Sequence, residues 1–126
     1  MKLFFFREKI KIMKNSVKKE IEKLIKDYDL DCSIEEFKDK ANWNRISYEL
    51  KLSEDFIREF QNKVDWEDIS YSQKLSKDFV LEFQDRVNWH NIEEYQNITK
   101  KDIEEYEEEK ELEKTRVKNR FQLIRF

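Results

Sequence analysis

Two nearly identical stretches decide the fold: ANWNRISYELKLSEDFIREF at residues 41–60 and VDWEDISYSQKLSKDFVLEF at residues 64–83. In full register, residues 43–65 and 66–88 are identical at 13 of 23 positions, which chance does not explain. A fixed period of this length is the sequence signature of a repeat architecture. The period is marked by three tryptophans, Trp43, Trp66 and Trp89.

Each copy predicts two short helices. In the second copy, the first helix is expected over about 66–73. The second helix begins at Ser53 or Ser76, whose hydroxyl can accept a hydrogen bond from a free backbone N–H at the helix start. Apolar residues then recur at i, i+1, i+4 and i+8, which makes one apolar stripe along the helix. The copy therefore has the pattern of a small helical hairpin.

The chain contains neither glycine nor proline. This removes the usual hairpin turns and every glycine-dependent phosphate loop, and it favours an all-helical chain. Asn42, Asp65 and Asn88 stand immediately before the tryptophans. We expect each of them to cap the helix that follows and also to take the left-handed conformation that ends the helix before.

A single hairpin cannot bury both sides of its stripe, whereas stacked copies share a continuous core. The predicted fold is therefore all-α: short helical-hairpin repeats stacked as a small solenoid, in one domain of residues 1–126. The repeat region covers 31–106 and follows an amphipathic capping helix at 14–30. A long charged helix, opened by Thr99 and continuing through 107–126, ends the chain, and residues 1–13 are expected to be extended or loose. The predicted repeat core consists of Trp43, Ile46, Leu52, Phe56, Phe60, Trp66, Ile69, Leu75, Phe79, Phe83, Trp89 and Ile92.

Charged residues make up 44% of the chain, and its net charge is −3. Aromatic residues at 14% argue against disorder, because disordered chains are poor in them. Cys32 is the one cysteine, so no intrachain disulfide forms, which suits a reducing, cytoplasmic compartment. Charge is uneven, basic over 1–26 and 114–126 and acidic over 93–113. In the last helix acids lead and bases trail, an order that would complement the helix dipole.

Residues for catalysis are scarce in this sequence. The one histidine, His90, corresponds to Asn44 and Glu67 in the other copies, which indicates a variable exposed position. The acid clusters lack the glycine and ligand spacing of a calcium loop, and no zinc or nucleotide motif occurs. We therefore predict no catalytic residue, no cofactor and no metal, and a protein that is not an enzyme.

Binding residues are sought among positions that differ between copies, because the framework positions repeat. An exception is the repeated pair Tyr48 and Tyr71, for which packing in the framework is favoured over binding. A further set lies in the acidic helix at 102–113. The candidate partner-binding residues are Arg45, Tyr48, Arg58, Asp68, Tyr71, Gln73, Leu81, Glu104, Glu105 and Glu108.

The unit W-x-x-I-S-x-x-x-x-L-S-x-D-F-[IV]-x-E-F-Q-x-[KR]-V-[DN]-W resembles a tryptophan-containing helical repeat of uncharacterised proteins from large DNA viruses, phages and low-GC bacteria. The resemblance covers about residues 31–106. The third copy departs from the pattern, with Glu93 and Asp102 where Ser and Phe are expected. The resemblance implies a viral, phage or mobile-element origin and implies no particular activity.

The resulting hypothesis is a non-catalytic protein–protein interaction module of phage or viral type. It would bind and occlude a host protein in the host-cell cytoplasm. One alternative is an inhibitor of a host defence nuclease, like an anti-CRISPR protein, with the acidic helix imitating nucleic-acid phosphate. Two others are nucleic-acid binding through the basic segments 1–26 and 114–126, and a structural repeat that associates with itself as a homo-oligomer. No membrane partner is expected, since no stretch is long enough to span a bilayer.

Overall fold

The computed structural model describes residues 13–124, with side chains described for 13–120. The prediction for residues 1–13 falls almost wholly outside this range. The described part contains helices and no strand, so the predicted all-α class is confirmed. The helices are α1 (Asn15–Asp27), α2 (Ile34–Lys40), α3 (Trp43–Glu49), α4 (Glu54–Glu59), α5 (Trp66–Ser72), α6 (Lys77–Glu82), α7 (Trp89–Tyr95) and α8 (Lys100–Ile124).

The chain forms two compact units, one ending at Asp65 and the other beginning at Trp66. The boundary between them coincides with the boundary between the two similar copies. Unit 1 contains α1 to α4, and α1 packs against both α2 and α4. Unit 2 contains α5 to α8, in which α5 packs against α7 and α6 packs against α8.

The second helix of each copy begins at its predicted serine. Ser53 Oγ accepts a hydrogen bond from Phe56 N at 3.1 Å, and Ser76 Oγ accepts one from Phe79 N at 3.2 Å. Both serines have an extended backbone, which aims the hydroxyl at the free N–H groups of the first turn. The serine caps therefore set the starts of α4 and α6.

The asparagines before the tryptophans act as caps and not as left-handed turn residues. Asn42 Oδ1 accepts from Arg45 N at 3.2 Å, and Asn88 Oδ1 accepts from Asn91 N at 3.1 Å. Their φ angles, −84° and −85°, are extended, so the predicted left-handed role is wrong. The cap geometry itself excludes that role, because an N-cap residue needs an extended backbone.

The turn before each cap is instead closed by backbone hydrogen bonds. After α4, Lys63 N and Val64 N both donate to Phe60 O, at 2.9 Å and 3.1 Å. After α6, Arg86 N and Val87 N donate to Phe83 O in the same way. In the described residues, positive φ angles occur at Asp29 and Asn97, which follow α1 and α7.

The core of unit 1 is an aromatic cluster around Phe37, which is fully buried. Its ring meets Trp43 edge-on at 5.7 Å between centroids and Phe56 at 6.2 Å. Trp43 also lies tilted on Phe60 at 5.0 Å. Helix α2, which lies in the repeat region before the first full copy, thus supplies the central ring of this unit.

Unit 2 repeats part of this cluster. Trp66 packs on Phe79 and Phe83, with centroid distances of 6.1 Å and 5.0 Å. The predicted core residues are buried in both units, except that the three tryptophans are half-buried. Two ring nitrogens reach the backbone: Trp43 Nε1 donates to Lys38 O at 2.9 Å, and Trp89 Nε1 donates to Gln84 O at 3.0 Å. A tryptophan therefore covers the edge of its core and closes the turn before it.

The serine of the W-x-x-I-S motif is a buried hydrogen-bonding residue. Ser70 is fully buried, and its Oγ donates to Trp66 O at 2.7 Å and accepts from Asn88 N at 2.9 Å. Ser47, also fully buried, accepts from Asp65 N at 3.0 Å. Each serine therefore fixes the residue that precedes the next tryptophan, which explains why the motif repeats.

The last helix starts where predicted. Thr99 Oγ1 accepts from Asp102 N at 3.1 Å, and Asp102 Oδ2 accepts from Thr99 N at 2.9 Å, which is a reciprocal capping box. The hydrogen bond from the Thr99 backbone lowers the pKa of Asp102. Asp102 stands where the other copies have Phe56 and Phe79. This departure from the repeat pattern thus contributes to the cap at the start of the 25-residue helix α8.

Candidate functional site

Two exposed tyrosines of unit 2 touch each other. Tyr71 on α5 is 40% exposed, and Tyr95 at the end of α7 is 50% exposed. Their ring centroids are 4.4 Å apart with an interplanar angle of 68°, an edge-to-face contact. We call these residues the tyrosine pair. It presents aromatic area to solvent.

The packing of α5 on α7 explains the position of the tyrosine pair. Ile69 and Ser70 on α5 and Ile92 on α7 are fully buried and take the inward side of their helices. Tyr71 stands two residues after Ile69, so it projects from the other side of a helix with 3.6 residues per turn. The pair is thus held in place by the core without being part of it.

Polar contacts also tie α5 to α7 beside the pair. Gln96 Nε2 donates to Ser70 O at 3.2 Å and also to Gln73 O, while Gln96 Oε1 accepts from Leu75 N at 3.2 Å. Asn91 Nδ2 donates to Glu67 O at 3.2 Å. These bonds fix the spacing of the helices that carry the two rings.

The surroundings of Tyr95 are acidic. Glu94 raises the pKa of the Tyr95 hydroxyl through its negative charge, with smaller contributions from burial and from Tyr71. Glu94 also lies 3.0 Å from His90 Nε2, one helical turn away and exposed. His90 is therefore at the protein surface, as the sequence comparison predicts.

Tyr95 is a site residue that the sequence comparison missed. Its copy has Glu94 in the register of Tyr48 and Tyr71, and the tyrosine is displaced by one residue. A strict spacing of 23 residues therefore passes over it. A search that allowed a shift of one position would have found an aromatic residue at this place in all three copies.

Three of the predicted binding residues lie in unit 1. Tyr48 is 53% exposed. Arg45 lies 5.0 Å from the centre of the Tyr28 ring and pairs with Glu49 at 2.9 Å. Arg58 is half-buried and pairs with Asp55 at 2.9 Å, so its charge is already used within the unit.

The other predicted residues lie in unit 2 and differ in accessibility. Gln73 is only 3% exposed and is therefore not a surface position, because the turn after α5 is covered by Gln96. Asp68 and Leu81 are half-buried. The acidic residues of α8 are exposed: Glu104, Glu105 and Glu108.

Unit 1 also contains an open pocket between α1, α2 and α3. Leu24 and Tyr28 line one side and Ile46 and Leu50 the other, with Arg45 at the edge. The lining is mostly apolar and brings no nucleophile and base together. Over residues 13–120, no group of three or more His, Cys, Asp or Glu side chains is placed to hold a metal ion. Nor does this part of the chain contain a helix long and apolar enough to cross a membrane.

No protein-family model matches this chain, and comparison with curated proteins and with solved structures gives no match either.

Proposed function

We propose that this protein is a non-catalytic protein-binding module and that the tyrosine pair is its contact surface in unit 2. The observation that carries the proposal is the pair itself: two rings in contact, each about half exposed, on helices whose cores do not need them. Exposed aromatic rings outside the core are surfaces that a partner can reach.

Tyrosine suits this role for physical reasons. Its ring supplies a large apolar area with only two side-chain torsions to fix, and its hydroxyl can bond at the edge of an interface, so tyrosine is enriched at interface centres. The edge-to-face contact of Tyr71 with Tyr95 holds both rings before any partner arrives. Less conformational entropy is then lost on binding.

The charges near the pair indicate the chemistry of the partner. Glu67, Glu93 and Glu94 are exposed in the helices that carry the two tyrosines. A protein surface with aliphatic side chains and an Arg or Lys would complement them, since guanidinium groups stack on aromatic rings and pair with carboxylates. The resemblance to viral repeats favours a host protein as the partner, bound so that its own functional surface is occluded.

The test is affinity capture from cells of the organism that encodes this chain, or of its host. The partner is identified and its affinity then measured for wild type, Tyr71→Ser and Tyr95→Ser. We expect each substitution to weaken binding by about tenfold or more, as for a residue at the centre of an interface. Circular dichroism checks that the variants remain helical.

Tyr28→Ser is the matched control, because Tyr28 is an exposed tyrosine of unit 1, 38% accessible, that lies under Arg45. It should bind like wild type. A captured partner that binds all three variants equally would exclude the tyrosine pair. Tyr48→Ser is measured alongside, since Tyr48 is the equivalent of Tyr71 in unit 1 and shows whether binding extends to that unit.

A second candidate function rests on α8. Residues 104–113 contain seven glutamates and one lysine, a net charge of −6, and most of their side chains are exposed. Such a segment could imitate nucleic-acid phosphate and occupy the basic groove of a defence nuclease, as in an anti-CRISPR protein. Binding to that partner would weaken steeply with salt, whereas binding through the tyrosine pair, which also buries apolar ring area, would weaken much less.

The alternative of nucleic-acid binding through the basic segments stays a prediction. Of these, residues 114–120 form an exposed basic stretch of α8, while residues 1–12 lie outside the described part. A gel shift at physiological salt tests it directly. If no shift occurs, the alternative is excluded.

A further inference from the structure

The described side chains in the second half of α8 are all exposed. Every residue from 107 to 120 is exposed, including Leu112 at 60% and Val117 at 43%. The helix is anchored to unit 2 near its start, where Ile103 is buried and Tyr106 and Lys110 bind Asp78. Beyond Lys110, the ten residues 111–120, or roughly 15 Å of helix, are in solvent.

Like charges face each other at the i, i+4 spacing of this helix, although Lys114 pairs with Glu111 at i, i+3, 3.4 Å away. Residues on a helix surface meet at i and i+4, and like charges at that spacing are destabilising. From residue 104 onward, the charged pairs at this spacing are all of like sign. They are Glu104–Glu108, Glu105–Glu109, Glu107–Glu111, Glu109–Glu113, Lys110–Lys114, Lys114–Lys118 and Arg116–Arg120.

The helix dipole does not account for this arrangement, which corrects the interpretation from sequence. The dipole favours acids only within the first turn and falls off beyond it. The first turn of α8 contains Lys100 and Lys101 together with Asp102, and the glutamates begin after it. The division into an acidic stretch and a basic stretch therefore needs another explanation.

One face of the exposed helix has a self-complementary charge order. Glu109, Glu113, Arg116 and Arg120 recur at i, i+4, i+7 and i+11, so they form a single stripe, and all four are exposed. We call this the charge stripe. When a second copy of this helix lies antiparallel against the stripe, Glu109 of each copy faces Arg120 of the other, and Glu113 of each faces Arg116 of the other. The exposed Leu112 and Val117 flank the stripe on opposite sides.

We infer that α8 pairs antiparallel with α8 of a second copy of this chain through the charge stripe. The pairing puts opposite charges in contact between the two helices, whereas the i, i+4 neighbours of the stripe within one helix, Glu109–Glu113 and Arg116–Arg120, are of like sign. It also covers part of Leu112 and Val117. A two-fold axis between residues 114 and 115 generates all four contacts, as the commonest form of homodimer requires.

Charge reversal tests the register. Glu109→Arg with Glu113→Arg makes the stripe entirely basic, and Arg116→Glu with Arg120→Glu makes it entirely acidic. By sedimentation equilibrium at low salt, wild type should dimerise, and each variant alone should dissociate more than about tenfold more readily. The two variants mixed should form a heterodimer, because their stripes are then opposite in charge.

A quadruple exchange, carrying all four substitutions, is the matched control. It keeps the composition and net charge of wild type and restores the antiparallel complementarity, so it should dimerise with itself. Raising the salt from about 0.05 M to 0.5 M should weaken every dimer, since exposed charges are screened. Helical content by circular dichroism confirms that each variant is folded.

Two results would overturn the inference. One is a wild-type protein that remains monomeric at low salt and high concentration. The other is dimerisation of the basic and acidic variants alone with wild-type affinity, which would assign self-association to a different surface. Neither result bears on the tyrosine pair, whose substitutions leave α8 unchanged.

Discussion

Asp55 in unit 1 and Asp78 in unit 2 occupy the same position of the repeat. The chain segment that binds Asp55 precedes the two full copies, whereas the helix that binds Asp78 follows them. Lys14, at the start of α1, lies 3.2 Å from Asp55 Oδ1. In unit 2, Lys110 of α8 binds Asp78, which also accepts a hydrogen bond from the Tyr106 hydroxyl at 2.9 Å. The repeat therefore offers the first turn of its second helix as a place where a flanking helix attaches.

The residues that differ between the copies follow this difference in attachment. In unit 1, Arg58 pairs with Asp55 and, more distantly, with Glu54. Unit 2 has Lys77 and Leu81 at the positions of Glu54 and Arg58, and Lys77 lies over the Tyr106 ring at 6.0 Å. Lys77 and Leu81 thus replace Glu54 and Arg58 together. This joint replacement favours a structural role for Leu81 over the partner contact predicted from sequence.

The largest expected effect tests whether the two copies are equivalent in their cores. Phe56→Ala and Phe79→Ala each remove a fully buried ring, and each should lower the free energy of unfolding by about 3–5 kcal/mol. Urea denaturation followed by circular dichroism measures both. A cost below about 1 kcal/mol for one of them would show that the repeated phenylalanine does not have the same role in both units.

The buried serines come next. Ser47→Ala and Ser70→Ala each remove the acceptor of a half-buried backbone N–H, of Asp65 or Asn88, so each should cost about 1–2 kcal/mol. Ser72→Ala is the control, because Ser72 is exposed and donates to Asp68 O within its own helix. If Ser70→Ala costs no more than Ser72→Ala, the buried hydrogen bond is not what maintains the motif.

A smaller effect is expected at two helix starts that are not capped by the repeated serines Ser53 and Ser76. Ser33 in unit 1 forms a capping box with Glu36, and Thr99 in unit 2 forms one with Asp102. Ser33→Ala and Thr99→Ala should each lower the free energy of unfolding by about 1 kcal/mol. Thr99→Ser, which retains the hydroxyl, should remain close to wild type, and a loss as large as that of Thr99→Ala would argue against the cap.

Local rules made most of the fold predictable. The serine and asparagine caps, the apolar stripe and Thr99 at the start of α8 all follow from short-range spacing, and the structure has them. The prediction that Gln73 is a surface residue is wrong, because a position that varies between copies need not be exposed. Gln96 covers that turn from 23 residues away, and no pattern within one copy shows such a contact.

The candidate site was harder to predict for the same reason. The tyrosine pair forms between helices that are adjacent in space and separated in sequence, and its second member lies one residue out of register. The charge stripe, in contrast, is contained in one helix. It becomes visible once the structure shows that α8 starts at Lys100 and that residues 107–120 are exposed.

The smallest expected effect concerns the ion pair between Asp55 and Lys14 in unit 1. A hydrogen bond from Lys14 is the main cause of the lowered pKa of Asp55, whose ordinary value is 3.8, and Arg58 adds to it. Because the folded pKa lies below the unfolded one, the pair stabilises unit 1 above about pH 4. That contribution is lost as the pH falls through the folded pKa.

Lys14→Met should therefore raise the pKa of Asp55 and make stability fall less steeply between neutral pH and acid. The pKa is read from the carboxyl resonance of Asp55 in an NMR titration, and stability from urea denaturation at each pH. Lys110→Met removes the equivalent lysine of unit 2 and should leave the Asp55 titration unchanged. If both variants shift Asp55 equally, the shift reflects the overall charge of the protein, and attachment of α1 through this aspartate would lose its support.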